Sequence, residues 1–279
     1  MCHKIARMRN TFIALTLTLI AAGATAQIAE GDQHYAARAE GHAGGRAKAA
    51  HIDAAIAAYQ RAAAANPKDL EARWKLLRAY RFKGAYVAAT NDEKKKVYAE
   101  AKKAGEGALA LLHVAPKATE KQVADTVRTI PGAGETFLWD AVNWGEWALA
   151  YGKMAAAREG AADRIRREAT IAMLIDPRLE GGAPARVLGR LHDQTPHIPF
   201  LTGWASEKEA VRFLNESLKI DPTNKITKVF LAEAIAGDDK PQAVRLLREC
   251  VSAPNPPEFE VEQAAATEDA RALLKKWGA

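Results

Sequence analysis

Apolar residues along this chain recur every three or four positions and never alternate with polar ones over the length of a strand, so the pattern predicts helices throughout. One row repeats: a residue, usually small, then positions four and seven further on, and a proline twelve on. It reads Ala55, Tyr59, Ala62, Pro67, then Ala104, Ala108, Leu111, Pro116, then Ile165, Ala169, Ala172, Pro177, then Ala210, Leu214, Ser217, Pro222. A fifth copy is Ala243, Leu247, Cys250, with its proline slot on Asn255 beside Pro256. The periodicity and the breakers between segments predict helices over 28–40, 47–65, 70–84, 91–114 (with Asn91 as its cap), 120–128, 135–151, 161–175, 206–220, 225–236, 241–251 and 261–277, and a helix between loops within 180–199. Ser206 and Glu209 have the spacing of a capping box.

The repeated row resembles the second helix of a tetratricopeptide repeat. Small residues at its first and third positions let a partner helix approach closely, the larger residue between them fills the gap, and proline ends the helix. First helices match more loosely, through Leu76 and Tyr80, Leu188-Gly189 and Leu231-Ala232. The expected fold is all-α, a tetratricopeptide-repeat-like solenoid of about five degenerate helix pairs over residues 27–279. The segment 28–40 is read as a cap, and 252–260 as a linker before a C-terminal capping helix.

The segment 135–151, ETFLWDAVNWGEWALAY, carries three of the chain's six tryptophans. On a helical wheel Trp139, Asn143 and Trp147 form one row, with Phe137, Asp140, Trp144 and Tyr151 on the same half. Leu138, Ala141, Val142, Gly145 and Leu149 lie opposite. Neither half is an ordinary solvated face. The aromatic row is either core or the wall of a cavity that orients a small organic ligand through Asn143.

Residues 1–26 read as an export leader: Lys4, Arg7 and Arg9, an apolar run over 11–22 too short to span a bilayer, and an Ala24-Thr25-Ala26 cleavage site. The expected location is the periplasm, with no transmembrane segment after cleavage. Cleavage removes three basic and no acidic residues, which lowers the formal charge from +6 to +3. That surplus argues against nucleic acid as a partner. Of the two cysteines only Cys250 lies beyond the leader, so no intrachain disulfide is available to the mature chain.

No enzyme motif is present. The three serines, Ser206, Ser217 and Ser252, lie in no G-x-S-x-G turn, and there is no glycine-rich phosphate loop. His192 and His197 are wrongly spaced for one helical face, so no metal site is expected. No cofactor is expected either. After the glycine pair Gly181-Gly182, Arg186 and Arg190 share a helix face and suit a ligand carboxylate, or else ion pairs with neighbouring helices.

Four stretches carry a narrower resemblance: FLWDAVNWGEW (137–147), IDPRLEGGAPARVLGRLHDQTP (175–196), GWASEKEAVRFLNESLKIDP (203–222) and ATEDARALLKKW (266–277). Together they are similar to the TatT family, tetratricopeptide T components associated with periplasmic TRAP transporters. The resemblance covers the latter half closely and the first half only as repeats. It implies an exported binding protein that partners a TRAP substrate-binding protein, with an apolar ligand channel through the subunit. The expected function is therefore binding of a protein partner and of a small apolar or carboxylate-bearing ligand, by Trp139, Asn143, Trp147, Arg186 and Arg190, in a monomer or an oligomer. The alternative is a periplasmic scaffold for envelope assembly with no small ligand. Some TatT members are lipoproteins with a cysteine just after the leader. This chain has none there, since Cys2 precedes the apolar run.

Overall fold

The computed structural model describes residues 23–199 and 202–279; the expected leader therefore falls largely outside the described residues. Apart from an isolated bridge between Ala43 and Arg46, their regular structure is helical. After α1 (23–36) come α2 (Ala49–Ala65), α3 (Leu70–Phe82), α4 (Asn91–Leu109), α5 (Glu120–Val127), α6 (Ala133–Tyr151) and α7 (Lys153–Arg158). Then follow α8 (Ala161–Ile175), α9 (Leu179–Gln194), α10 (Glu207–Ile220), α11 (Lys225–Ile235), α12 (Lys240–Ser252) and α13 (Glu260–Trp277).

Local chemistry sets most of the boundaries. Thr90 and Thr119 form complete capping boxes with Glu93 and Gln122, so the cap of α4 is Thr90 rather than Asn91. Ser206 caps α10 by accepting from the Glu209 amide, while the Glu209 carboxylate turns to Arg212, so that box is only half made. Gly132, at φ 83°, starts α6 in a conformation that other residues rarely adopt.

The repeated row falls on α2, α4, α8, α10 and α12. In four of these it is the buried row: Ala55, Tyr59 and Ala62, then Ile165, Ala169 and Ala172, then Ala210, Leu214 and Ser217, then Ala243, Leu247 and Cys250. In α4 the buried row lies three residues earlier, at Ala101, Gly105 and Ala108, while Ala104 and Leu111 are half-buried. A 3-10 turn over Ala110–Leu112 lies between the end of α4 and Pro116, so the buried row ends three residues farther from the proline than in the other copies. Each fully buried leucine of these rows contributes about 1.5–3 kcal/mol through removal from water.

Helices pack on their chain neighbours as antiparallel hairpins, α9 on α10 most extensively, where a Cβ on Gly189 would meet Leu214 Cγ at 2.6 Å. The segment expected as a lone cap is instead the first helix of the first pair: Asp32 accepts from the Tyr59 hydroxyl at 2.8 Å, and Glu30 pairs with Arg61 at 2.7 Å. The fold is thus all-α, a tetratricopeptide-repeat-like solenoid whose five pairs are α1–α2, α3–α4, α6–α8, α9–α10 and α11–α12, with α13 last. Two inserted helices, α5 and α7, break the regular spacing; α7 buries no residue.

The first helices also touch in series, α3 with α6, α6 with α9, α9 with α11, and α11 with α13, so they form the inner layer. The two ends of this layer meet. Arg38, just after α1, holds Glu262 of α13 at 2.8 Å, the Gly45 amide donates to Glu268, and Val261 joins the apolar cluster of Ile52, Tyr59 and Phe82. The solenoid therefore closes on itself.

Candidate functional site

Most of the aromatic half of α6 is core, with Trp139 half-buried and Tyr151 exposed. Trp147 is buried against Trp144 and stacks on Tyr151 at 4.7 Å, in a cluster with Tyr98, Ile165 and Leu188. Lys102 covers both indoles, 3.9 Å from each ring centre. Asn143 is fully buried and spends its amide on two backbone carbonyls, Leu77 at 3.0 Å and Trp139 at 2.8 Å. The accessible edge of α6 is instead Glu135, Trp139, Val142, Glu146 and Leu149, which crosses the wheel assignment: Leu149, on the half expected to pack, is 74% exposed. Trp139 lies on this edge and Trp147 does not, so the row Trp139–Asn143–Trp147 does not face one space.

Behind the tryptophans lies an acid pair. Asp140 and Glu168 are 0% and 5% exposed, and both are held by Arg164, at 2.8 and 2.9 Å. Gly105 gives Asp140 its place, because a Cβ there would collide with the carboxylate. One arginine cannot neutralise two buried carboxylates. Burial raises both carboxyls, and Glu168, with Asp140 beside it, well above the usual carboxyl range, so the pair holds on to a proton between them.

The inner layer carries a second charged group, drawn from helices along the whole chain. Arg38 is fully engaged with Glu262 and with the carbonyls of Tyr35 and Glu258. Arg78 lies 4.0 Å from the Tyr35 ring centre and 3.7 Å from Glu180. Arg81 donates to the Tyr86 hydroxyl at 2.7 Å and lies 3.6 Å from Glu146. Arg186 reaches only neutral oxygens, Glu180 O and Thr227 Oγ1 at 3.3 Å and Gly181 O at 3.5 Å, and makes no ion pair among the described residues. Burial, then the like charge of Arg81, pulls Arg186 down to about 10. Burial also pushes Tyr35 up to about 12.

The accessibility of these side chains points to a recess on the inner side of the ring. Arg78, Arg81, Glu146 and Glu180 keep 19, 20, 25 and 24% of their surface accessible. Yet burial is the leading pull on Arg81 and Arg186 alike. Open surface inside a desolvating surround is what the inside of a closed ring of helices provides. The turn before α9 shapes one wall. Glu180, Gly181 and Gly182 are three successive left-handed residues, at φ 46°, 64° and 79°, and they aim the Glu180 and Gly181 carbonyls at Arg186.

Of the expected ligand residues, the structure brings Arg186 to this recess and leaves Trp147 and Asn143 in the core. Arg190 is consumed in ion pairs with Asp193 at 3.0 Å and Glu233 at 2.8 Å. Sequence reasoning missed Arg78, Arg81, Tyr86 and Glu146. The one available signal was the stripe Trp74, Arg78, Arg81 on α3, which reads as a solvated face until the ring closes. His192 accepts from the Ser206 amide and packs on Trp204 and Phe213 beside a recess of about 260 Å³. Among the described residues no group of three or more histidine, cysteine or acidic side chains could hold a metal, and no helix is long and apolar enough to cross a membrane.

No family model and no curated protein matches this chain. Among solved structures it is similar to the TPR2AB domain of yeast Sti1 in its pHSP90 complex. The identity is 15% over 92% of this chain and 98% of that one, with a TM-score of 0.32, a superposition too loose to bear on function.

Proposed function

We propose that this chain is an exported helical-repeat binding protein of the TatT type, which docks a TRAP substrate-binding protein and admits a small organic ligand to the recess of its inner layer. The observation that carries the ligand half is Arg186, a desolvated arginine of that recess that makes no ion pair among the described residues. A cation left so is costly unless a ligand completes it. Binding rather than catalysis is favoured because the pair with the strongest acid–base character, Asp140 and Glu168, is sealed from any substrate. The scaffold reading draws its support from exposed Leu149 and Met154, 74 and 71% open at the junction of α6 and α7.

Native mass spectrometry of the exported chain, coexpressed with the TRAP substrate-binding proteins of its own genome, tests both halves. The expected result is a complex with one of them and an added small mass on the chain. A chain that is always empty, and that never associates, overturns the proposal.

A further inference from the structure

Within that ligand reading, we propose that Arg186, together with the Arg81–Tyr86 pair, anchors the carboxylate of a small organic monocarboxylic acid. Three observations converge. Arg186 presents a planar fork whose current partners are neutral oxygens at 3.3–3.5 Å, long enough to yield to an anion. Tyr86 accepts from Arg81 at 2.7 Å and donates its own proton to no acceptor among the described residues. It is buried, burial raises its pKa, and it therefore stays a donor. Both Arg81 and Tyr86 lie close enough to act on Arg186 electrostatically.

Charge sets the class. The other arginines of the recess already face carboxylates: Arg38 with Glu262, Arg78 with Glu180, Arg81 with Glu146. Arg186 has no carboxylate at ion-pair distance among the described residues, although Asp221 and Glu180 act on it from farther away, so the site suits no more than one negative charge. A dicarboxylate or a phosphate dianion brings a second charge toward Glu146 and Glu180 and is disfavoured by repulsion. The strained turn at Glu180 supports the same reading, since it sets the Glu180 and Gly181 carbonyls against the Arg186 guanidinium.

Thermal unfolding of the full chain, stripped of small molecules, tests this. The probes are acetate, butyrate and benzoate, their uncharged counterparts butanol and benzyl alcohol, and succinate and phosphate, all at constant ionic strength. The expected result is a saturating rise in the midpoint with at least one monocarboxylate, roughly 5–10 °C at a hundredfold excess over its Kd, and none with the matching alcohol. Arg186→Met should lose that shift while its own ligand-free midpoint stays level or rises by roughly 2–4 °C, because a buried unpaired charge is gone. Arg186→Lys, which keeps the charge but not the fork, should bind about tenfold more weakly, and Tyr86→Phe roughly fivefold. An undiminished shift in Arg186→Met overturns the inference, as does a larger shift with succinate or phosphate than with every monocarboxylate. If the alcohols shift wild type and Arg186→Met alike, the recess binds ligands without this anchor and only the inference fails. If nothing shifts either protein and nothing copurifies, the ligand reading fails with it.

Discussion

Single side chains in this protein do their work through what surrounds them. Asn143, the polar point of the aromatic row, is a backbone clamp that ties α6 to α3. Glu168 is the clearest case of a residue whose environment sets its state. Its pKa is raised by burial and by Asp140, itself raised by burial, so the folded chain holds on this pair a proton that the unfolded chain releases near the ordinary carboxyl value of about 4. A raised folded pKa means that this stability is present below the unfolded value and is lost as pH climbs through the folded one. Chemical denaturation of wild type should therefore show stability falling from pH 5 to pH 8, in part through this pair. In Glu168→Gln, which is neutral at every pH, the fall should be smaller. A fall of equal size in the variant would show that Glu168 is charged in the folded protein.

Individual elements show how local strain serves packing. The helix of α9 proper begins at Ala183, with Pro184 in its first turn, where proline costs nothing. What precedes it is the run of left-handed residues. Gly182 is required there twice, by its φ of 79° and because a Cβ would lie 3.2 Å from Ser217 Cα and Ile220 Cβ. Gly182→Ala should destabilise by about 1–3 kcal/mol in urea unfolding. Glu180→Gly should go the other way, by about 1 kcal/mol, because relief of the left-handed strain outweighs a 3.7 Å contact with Arg78. If Glu180→Gly destabilises instead, its carboxylate matters more to the recess than its backbone does.

The whole molecule depends on closure. Arg38 and Glu262 are separated by 224 positions and are both buried, and their pair joins the first hairpin to α13. Removing one partner leaves the other charged and unpaired, at a cost of about 3–5 kcal/mol. In Arg38→Ala, hydrogen exchange should rise in α1 and α13 together while α8, α10 and α12 keep their protection. Uniform loss of protection would instead mean that the ring unfolds as one cooperative unit. An opened ring would also expose the recess to bulk water, which lowers the cost of leaving Arg186 unpaired.

By itself the sequence determined the all-helical class, the repeated row that packs each second helix, and most helix boundaries. These are local matters: a period of 3.6, small residues where backbones meet, and caps within four positions. It missed α7, whose six residues bury nothing, and misplaced the buried row of α4, because an inserted turn leaves the sequence pattern intact while rotating the helix. The recess was barely legible. Its arginines, tyrosines and glutamates come from α3, α6, α9 and both ends of the chain, each looking like an ordinary polar stripe on its own helix. Only the closing of the solenoid turned those outer-looking faces inward. Closure also desolvated the charges and left Arg186 without a direct ion pair among the described residues, with Asp221 and Glu180 acting on it only from farther away.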